Sequence, residues 1–205
     1  MSFRRFAEAY QDRFAAALAR WDLAALERVA GVLAAARSRG ARVLIAGNGG
    51  SAAIANHAEC DASKGTHVDG APPLDTRSLA ANPSVLTALA NERGYASVFA
   101  DQVALYGRSG DVLLVVSSKG SSANVVAACE AARARGLVTV ALVGFDGGAL
   151  KNVADHVVHV AADNYGIVED MHQACLHVVT QWLCAEATVA RDAPPATPTR
   201  SPSGS

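Results

Sequence analysis

Two short loops and three imidazole-bearing helix turns contain residues whose types and spacing could do chemistry. The first loop is Ala46-Gly47-Asn48-Gly49-Gly50-Ser51. Its glycines let the backbone turn sharply and approach a ligand, and Ser51 can cap a helix or bind an oxygen. The second is Ser117-Ser118-Lys119-Gly120-Ser121-Ser122, with four hydroxyls and one ammonium. Together with the free N–H groups of a helix start, these suit a phosphate or another anion. Either loop alone also suits ordinary turns and caps. Both at once, on strands expected to be neighbours, favour an anion site. Neither loop is a Walker A. The dinucleotide fingerprint is met by Gly47, Gly49 and Ala52 with alanine last, and Arg77-Ser78-Leu79-Ala80 supplies no ribose-binding acid. No nucleotide cofactor is expected.

His57 and Asp61 stand four residues apart, hence on one face of a helix. Downstream, Glu169, His172 and His177 fall in the opening of the last helix. Two imidazoles and two carboxylates could make a zinc-type site, or they could supply an acid/base pair. Glu169 and Asp170 could also simply complement a helix N-terminal dipole. His67, His156 and His159 have no comparable setting.

The elements that must position these groups follow from hydrophobic periodicity. Residues 2–37 read as helix, with a second helix starting near Asp22, running to Ser38 and stopped by Gly40. Short apolar runs then alternate with helical stretches. Strands are expected at Val43–Ala46, Thr76–Leu79, Asp111–Ser117, Val138–Val143 and His156–Val160. Helices are expected at Ser51–Ser63, Ser84–Ala90, Tyr95–Tyr106, Ser121–Arg135, Gly148–Val153 and Val168–Ala190. Strands that are almost wholly apolar imply cover on both faces, so the fold class is α/β with a doubly wound parallel sheet. The division expected is N-terminal helices over 1–40, the α/β domain over 41–191, and a disordered Pro/Ser-rich tail over 192–205.

Composition excludes several roles. Of 205 residues 51% are hydrophobic and 18% charged, with a net charge of −1, so a core can form and general nucleic-acid binding is disfavoured. No apolar run approaches a bilayer span, and the N-terminus has no signal core. The four cysteines form no Cys-x-x-Cys pair, and reduced, mostly buried thiols in a cytoplasmic protein are expected.

Gly47-Asn48-Gly49-Gly50-Ser51 followed by His57, the Ser117–Ser122 loop followed by Ala123-Asn124-Val125, and Glu169-Asp170-x-His172 together resemble the sugar isomerase (SIS) family, in its phosphoheptose isomerase branch. Asn91-Glu92-Arg93-Gly94-Tyr95, Gly110-Asp111-Val112-Leu113-Leu114 and Gly144-Phe145-Asp146-Gly147-Gly148 fit the same branch. The resemblance covers nearly the whole chain. It implies a five-stranded parallel sheet, a homotetramer with sites between subunits, and conversion of sedoheptulose 7-phosphate to D-glycero-D-manno-heptose 7-phosphate through an enediol. It implies a phosphate grip by Ser117, Ser118, Ser121 and Ser122, with Asn48, Gly49, Ser51, Asn82, Lys119 and Glu169 also on the substrate side. It implies one zinc ion per site on His57, Asp61, Glu169 and His177, with Asp61 as base and His177 as its acid/base partner.

Several positions depart from the branch. Asp61 stands for Glu, Glu169 for Gln, Lys119 for Ser, Ile54 for an acid and Asn82 for Asp. The alternatives that the resemblance leaves are a non-catalytic SIS tetramer that binds the replication initiator protein, and an isomerase or binding module for another sugar phosphate. No membrane or nucleic-acid partner is expected.

Overall fold

The computed structural model describes residues 1–192, so the expected tail lies, beyond Asp192, outside the described residues. Two helices come first, α1 (Phe3–Ala19) and α2 (Leu23–Arg39). They are separate because Asp22 caps α2, its Oδ1 accepting from the Ala25 N–H at 2.8 Å. Gly40 ends α2 at φ 64°, a left-handed conformation that favours glycine.

Five strands follow: β1 (Val43–Gly47), β2 (Thr76–Ser78), β3 (Val112–Ser117), β4 (Val138–Val143) and β5 (His156–His159). Their order in the sheet is β2-β1-β3-β4-β5, and every pairing is parallel. This is the expected fold class, and each expected strand is present to within a residue at its ends.

The helices between strands are α3 (Gly50–Cys60), α4 (Pro83–Arg93), α5 (Val98–Tyr106), α6 (Ala123–Ala134), α7 (Leu150–Val153) and α8 (Tyr165–Asp192). Three differ from expectation in ways that matter to the site. The helix from Gly50 relaxes into a π-helical turn over Asp61–Gly65. The stretch at Tyr95 begins as a 3₁₀ turn over Tyr95–Ser97. The last helix starts at Tyr165, and the Asn164 side chain accepts from the Ile167 N–H at 3.1 Å. Glu169 therefore lies in the second turn of α8, away from the N-terminal dipole.

Alternation along the strands splits the core into two layers. Val43, Ile45, Leu114, Val116 and Leu142 face α2, α3 and α8. Leu44, Ala46, Leu113, Val115 and Val143 face α5 and α6. Leu26, Val29, Leu33 and Ala36 of α2 join the first layer, so the second N-terminal helix packs into the α/β core. Two thiols, Cys129 and Cys175, are buried, while Cys60 is exposed and Cys184 half-buried. No helix among the described residues is long and apolar enough to cross a membrane.

Arg37 ties this layer together. Its guanidinium donates to the carbonyls of Pro72 at 2.8 Å, Leu183 at 2.9 Å and Thr66 at 2.9 Å, joining α2 to α8 and to the segment before β2. Arg37→Met keeps the apolar stem and orphans three carbonyls. It should lower stability by about 2 kcal/mol or more, read as a lower urea midpoint at unchanged m-value.

Candidate functional site

Strand order sets where a ligand can sit. β1 and β3 are neighbours, with Gly47 opposite Val116. The helices that follow them leave to opposite faces, because α3 packs in the first layer and α6 in the second. Such a switch point opens a crevice beyond the strand ends.

The two loops flank this crevice and are fastened to each other. Asn48 and Asn124 exchange amide hydrogen bonds, each 2.9 Å long. The Tyr95 hydroxyl adds a third bond to Asn48 Oδ1 at 2.8 Å. Asn48 thus spends its side chain on joining β1's loop to α6. Close approach explains the glycines. A Cβ at Gly47 would lie 2.5 Å from the Ser51 carbonyl oxygen. Gly120, at φ 65°, has the Gly147 carbonyl where its Cβ would be.

Asn48, Ser51, Ser117, Ser118, Lys119, Ser121, Ser122 and Glu169 line a cavity of about 170 Å³, joined by Tyr165. Ser117 Oγ accepts from the Gly120 N–H at 3.1 Å and shapes the turn. Ser118 Oγ is buried without a hydrogen-bond partner. An unpaired buried hydroxyl costs about 1–3 kcal/mol, and an anionic oxygen in the cavity would relieve it. Lys119 Nζ lies 5.5 Å from the Tyr165 ring centre and 5.8 Å from that of Phe145. It stands over two aromatic faces between this cavity and a neighbouring one of about 730 Å³, which also contains Arg13 and Arg20. That larger cavity lies beside the crevice, away from the imidazoles.

Two residues placed on the substrate side by sequence stand outside the cavity. Asn82 caps α4, its Oδ1 accepting from Ser84 N–H at 3.1 Å and Val85 N–H at 3.2 Å. Gly49 is the exposed N-cap of α3, at φ 55°.

About two turns along α3, a second cluster forms. His57 Nε2 and His177 Nε2 each lie 3.3 Å from Asp61 Oδ2, and 3.5 Å from each other. The three donors satisfy a common cation site. Four donors placed about 2.0–2.1 Å from a tetrahedral zinc are separated by about 3.3–3.4 Å. The three observed edges match that spacing, so these residues fit a zinc-sized ion. The cluster opens on a cavity of about 510 Å³ lined by Asp61, Gly65, His177, Thr180 and Gln181.

Glu169 is not brought to this cluster. It lies eight residues before His177 on an unbroken α8, an axial separation of about 12 Å. Its carboxylate instead packs against Gly50 beside the cradle. His172 is excluded as well. Its ring is fully buried on the inner face of α8 beside the Val143 carbonyl, without a well-aligned hydrogen bond. Burial lowers its pKa to about 4 and keeps it neutral. The sequence reading also passed over Gln173, whose amide nitrogen lies 2.9 Å from His177 Nε2. The four-residue spacing of Gln173 and His177 was the available signal.

Known proteins agree with this geometry. The SIS domain family model matches residues 5–144. The phosphoheptose isomerase of Rhodospirillum rubrum is 38% identical over 155 residues, 76% of this chain and 82% of the relative. A phosphoheptose isomerase structure from Francisella tularensis superposes with TM-score 0.84 at 28% identity, covering 90% of this chain and 100% of that one. A Neisseria gonorrhoeae phosphoheptose isomerase gives 0.83 at 27% identity, with 90% and 100% covered.

The orphaned hydroxyl yields a test that separates stability from binding. Ser118→Ala should leave the melting temperature unchanged or raise it, since it removes an unpaired polar atom. The same variant should bind inorganic phosphate about tenfold more weakly by calorimetry, the loss of one anion hydrogen bond.

Proposed function

The chain belongs to the SIS-domain family, among its phosphoheptose isomerases, and on that premise we propose that the crevice interconverts sedoheptulose 7-phosphate and D-glycero-D-manno-heptose 7-phosphate. The observation that carries this reading is a distance. Ser51 of the cradle and His57 of the cluster lie on the same helix, six residues apart, about 9 Å along its axis. That suits a sugar held by a terminal phosphate, with the opposite end of its carbon chain at the imidazoles.

The phosphate occupies the cradle of Ser117, Ser118, Ser121 and Ser122, with the ammonium of Lys119 at its rim. Binding energy from that remote group orients the reacting carbons. Asp61 Oδ2 faces both imidazoles, which leaves Oδ1 to take a proton from C1 of the ketose and, after exchange with solvent, to deliver one to C2. The intervening enediol gains a proton on O2 and loses one from O1. His177 is the partner for these oxygen protons. A zinc ion held by His57, Asp61 and His177 would polarise the substrate carbonyl. His177 Nε2 would hold the ion or carry a proton, not both at once, so its acid/base role belongs to the site without zinc.

The convergence of three donor side chains supports an enzyme over a non-catalytic adaptor, which has no need of them. Assembly as a homotetramer is part of this reading, with residues 1–40 serving it. Its support is the exposed apolar surface at Leu23, Val178 and Trp182, which lines a cavity of about 460 Å³. Trp182→Glu should shift sedimentation to a smaller species; a wild-type monomer would overturn the assembly.

The reaction is tested in deuterated water. Product formed from sedoheptulose 7-phosphate should carry deuterium at C2. Asp61→Asn should lower kcat by about a hundredfold or more, with KM changed little because the cradle is intact. Unchanged turnover in both Asp61→Ala and His177→Ala would overturn the assignment.

A further inference from the structure

Asn48 lines the serine cradle, and its carboxamide is almost fully engaged. Its Oδ1 accepts from Asn124 Nδ2 at 2.9 Å and from the Tyr95 hydroxyl at 2.8 Å. Its Nδ2 donates one hydrogen to Asn124 Oδ1 at 2.9 Å. A carboxamide has two acceptor places and two donor places. Both acceptor places of Asn48 are filled from within the protein, and one N–H is left for a ligand oxygen. The side chain therefore meets the cavity as a donor, which suits an anion.

Tyr95 is half-exposed and does not itself line that cavity. The turn that carries it is stapled in place. Gly94, at φ 90°, takes the chain out of α4 through a conformation that favours glycine. Asp101 Oδ2, on α5, accepts from the Ser97 hydroxyl at 2.7 Å and pairs with Arg93 Nε at 3.0 Å. One half-buried carboxylate thus joins the end of α4, the 3₁₀ turn and α5. We propose that Tyr95 is a positioning residue for the phosphate grip, acting through Asn48, and that Asp101 acts in turn through Tyr95. The inference rests on the phosphate reading of the cradle. Tyr95 touches no substrate. Its hydroxyl holds the Asn48 carboxamide where its free N–H faces the phosphate, and the Asp101 staple holds the hydroxyl. The contribution is to binding at the end of the sugar away from the imidazoles, so it belongs in KM and not in kcat.

Inorganic phosphate is the probe, titrated by calorimetry into full-length protein, with turnover of sedoheptulose 7-phosphate measured beside it. Tyr95→Phe keeps the ring and should leave the melting temperature within about 2 °C. It should weaken phosphate by about fivefold, the scale of one neutral hydrogen bond, and raise KM by a similar factor at unchanged kcat. Asp101→Ala should also weaken phosphate, and it reads the same bond from the other end if the phenylalanine variant fails to fold. In the Tyr95→Phe background Asp101→Ala should weaken phosphate no further, because the hydroxyl it positions is already gone. Unchanged phosphate affinity in Tyr95→Phe overturns the proposal, as does a fall in kcat at unchanged KM. Losses that add in the double variant overturn the part given to Asp101. A wild type that binds no phosphate overturns the cradle reading and this inference together. A wild type that binds phosphate but leaves sedoheptulose 7-phosphate unchanged overturns the proposed reaction, while the phosphate titrations still decide the role of Tyr95.

Discussion

The site depends on one topological constraint: β1 and β3 are adjacent, yet the helices they launch leave on opposite faces of the sheet. A crevice must open where the two chains diverge. The protein closes its floor with the paired amides of Asn48 and Asn124 and braces it with Tyr95. The side of the serine loop away from β1 is held by backbone proximity, since Leu150 N–H donates to the Gly120 carbonyl at 3.0 Å and no side chain fits between the loop and Gly147–Gly148. A near-neutral chain can therefore concentrate anion-binding groups at one point without a basic surface.

Much of this was legible in the sequence, for identifiable reasons. Val112–Ser117 and Val138–Val143 are buried almost throughout, so their apolar runs announce strands covered on both faces. Both ligand loops show as glycine and serine placed directly after such runs. His57 and Asp61 were visible as a pair because four residues span little more than a helical turn. What could not be read was the relation between distant segments. Spacing alone does not reveal that α3 and α8 lie side by side, with Gly50 beside Glu169 and His57 beside His177.

Residues that the structure places away from the expected cluster or cavity each had a local role of their own. Asn82 precedes Pro83, and a cap before a proline at the first helical position is a helix start. Its side-chain oxygen is committed to that cap. His172 falls in step with Val168, Met171, Cys175 and Val179, all buried, and so belongs to the inner stripe of α8. Glu169 was grouped with His177 by its place in the same helix opening, and the structure puts its carboxylate beside Gly50. The mixed character of Lys119, a cation in a serine loop, resolves into a position over the rings of Tyr165 and Phe145.

On the proposed reading, α3 links Ser51, beside the serine cradle, to His57 of the imidazole cluster and acts as a rigid ruler between those two side chains. Its backbone hydrogen bonds hold that spacing. Selectivity for the length of a sugar would then need no residue that reads the middle of the chain. A phosphorylated sugar with fewer carbons, gripped at the same end, would stop short of Asp61, and one with more carbons would overshoot it.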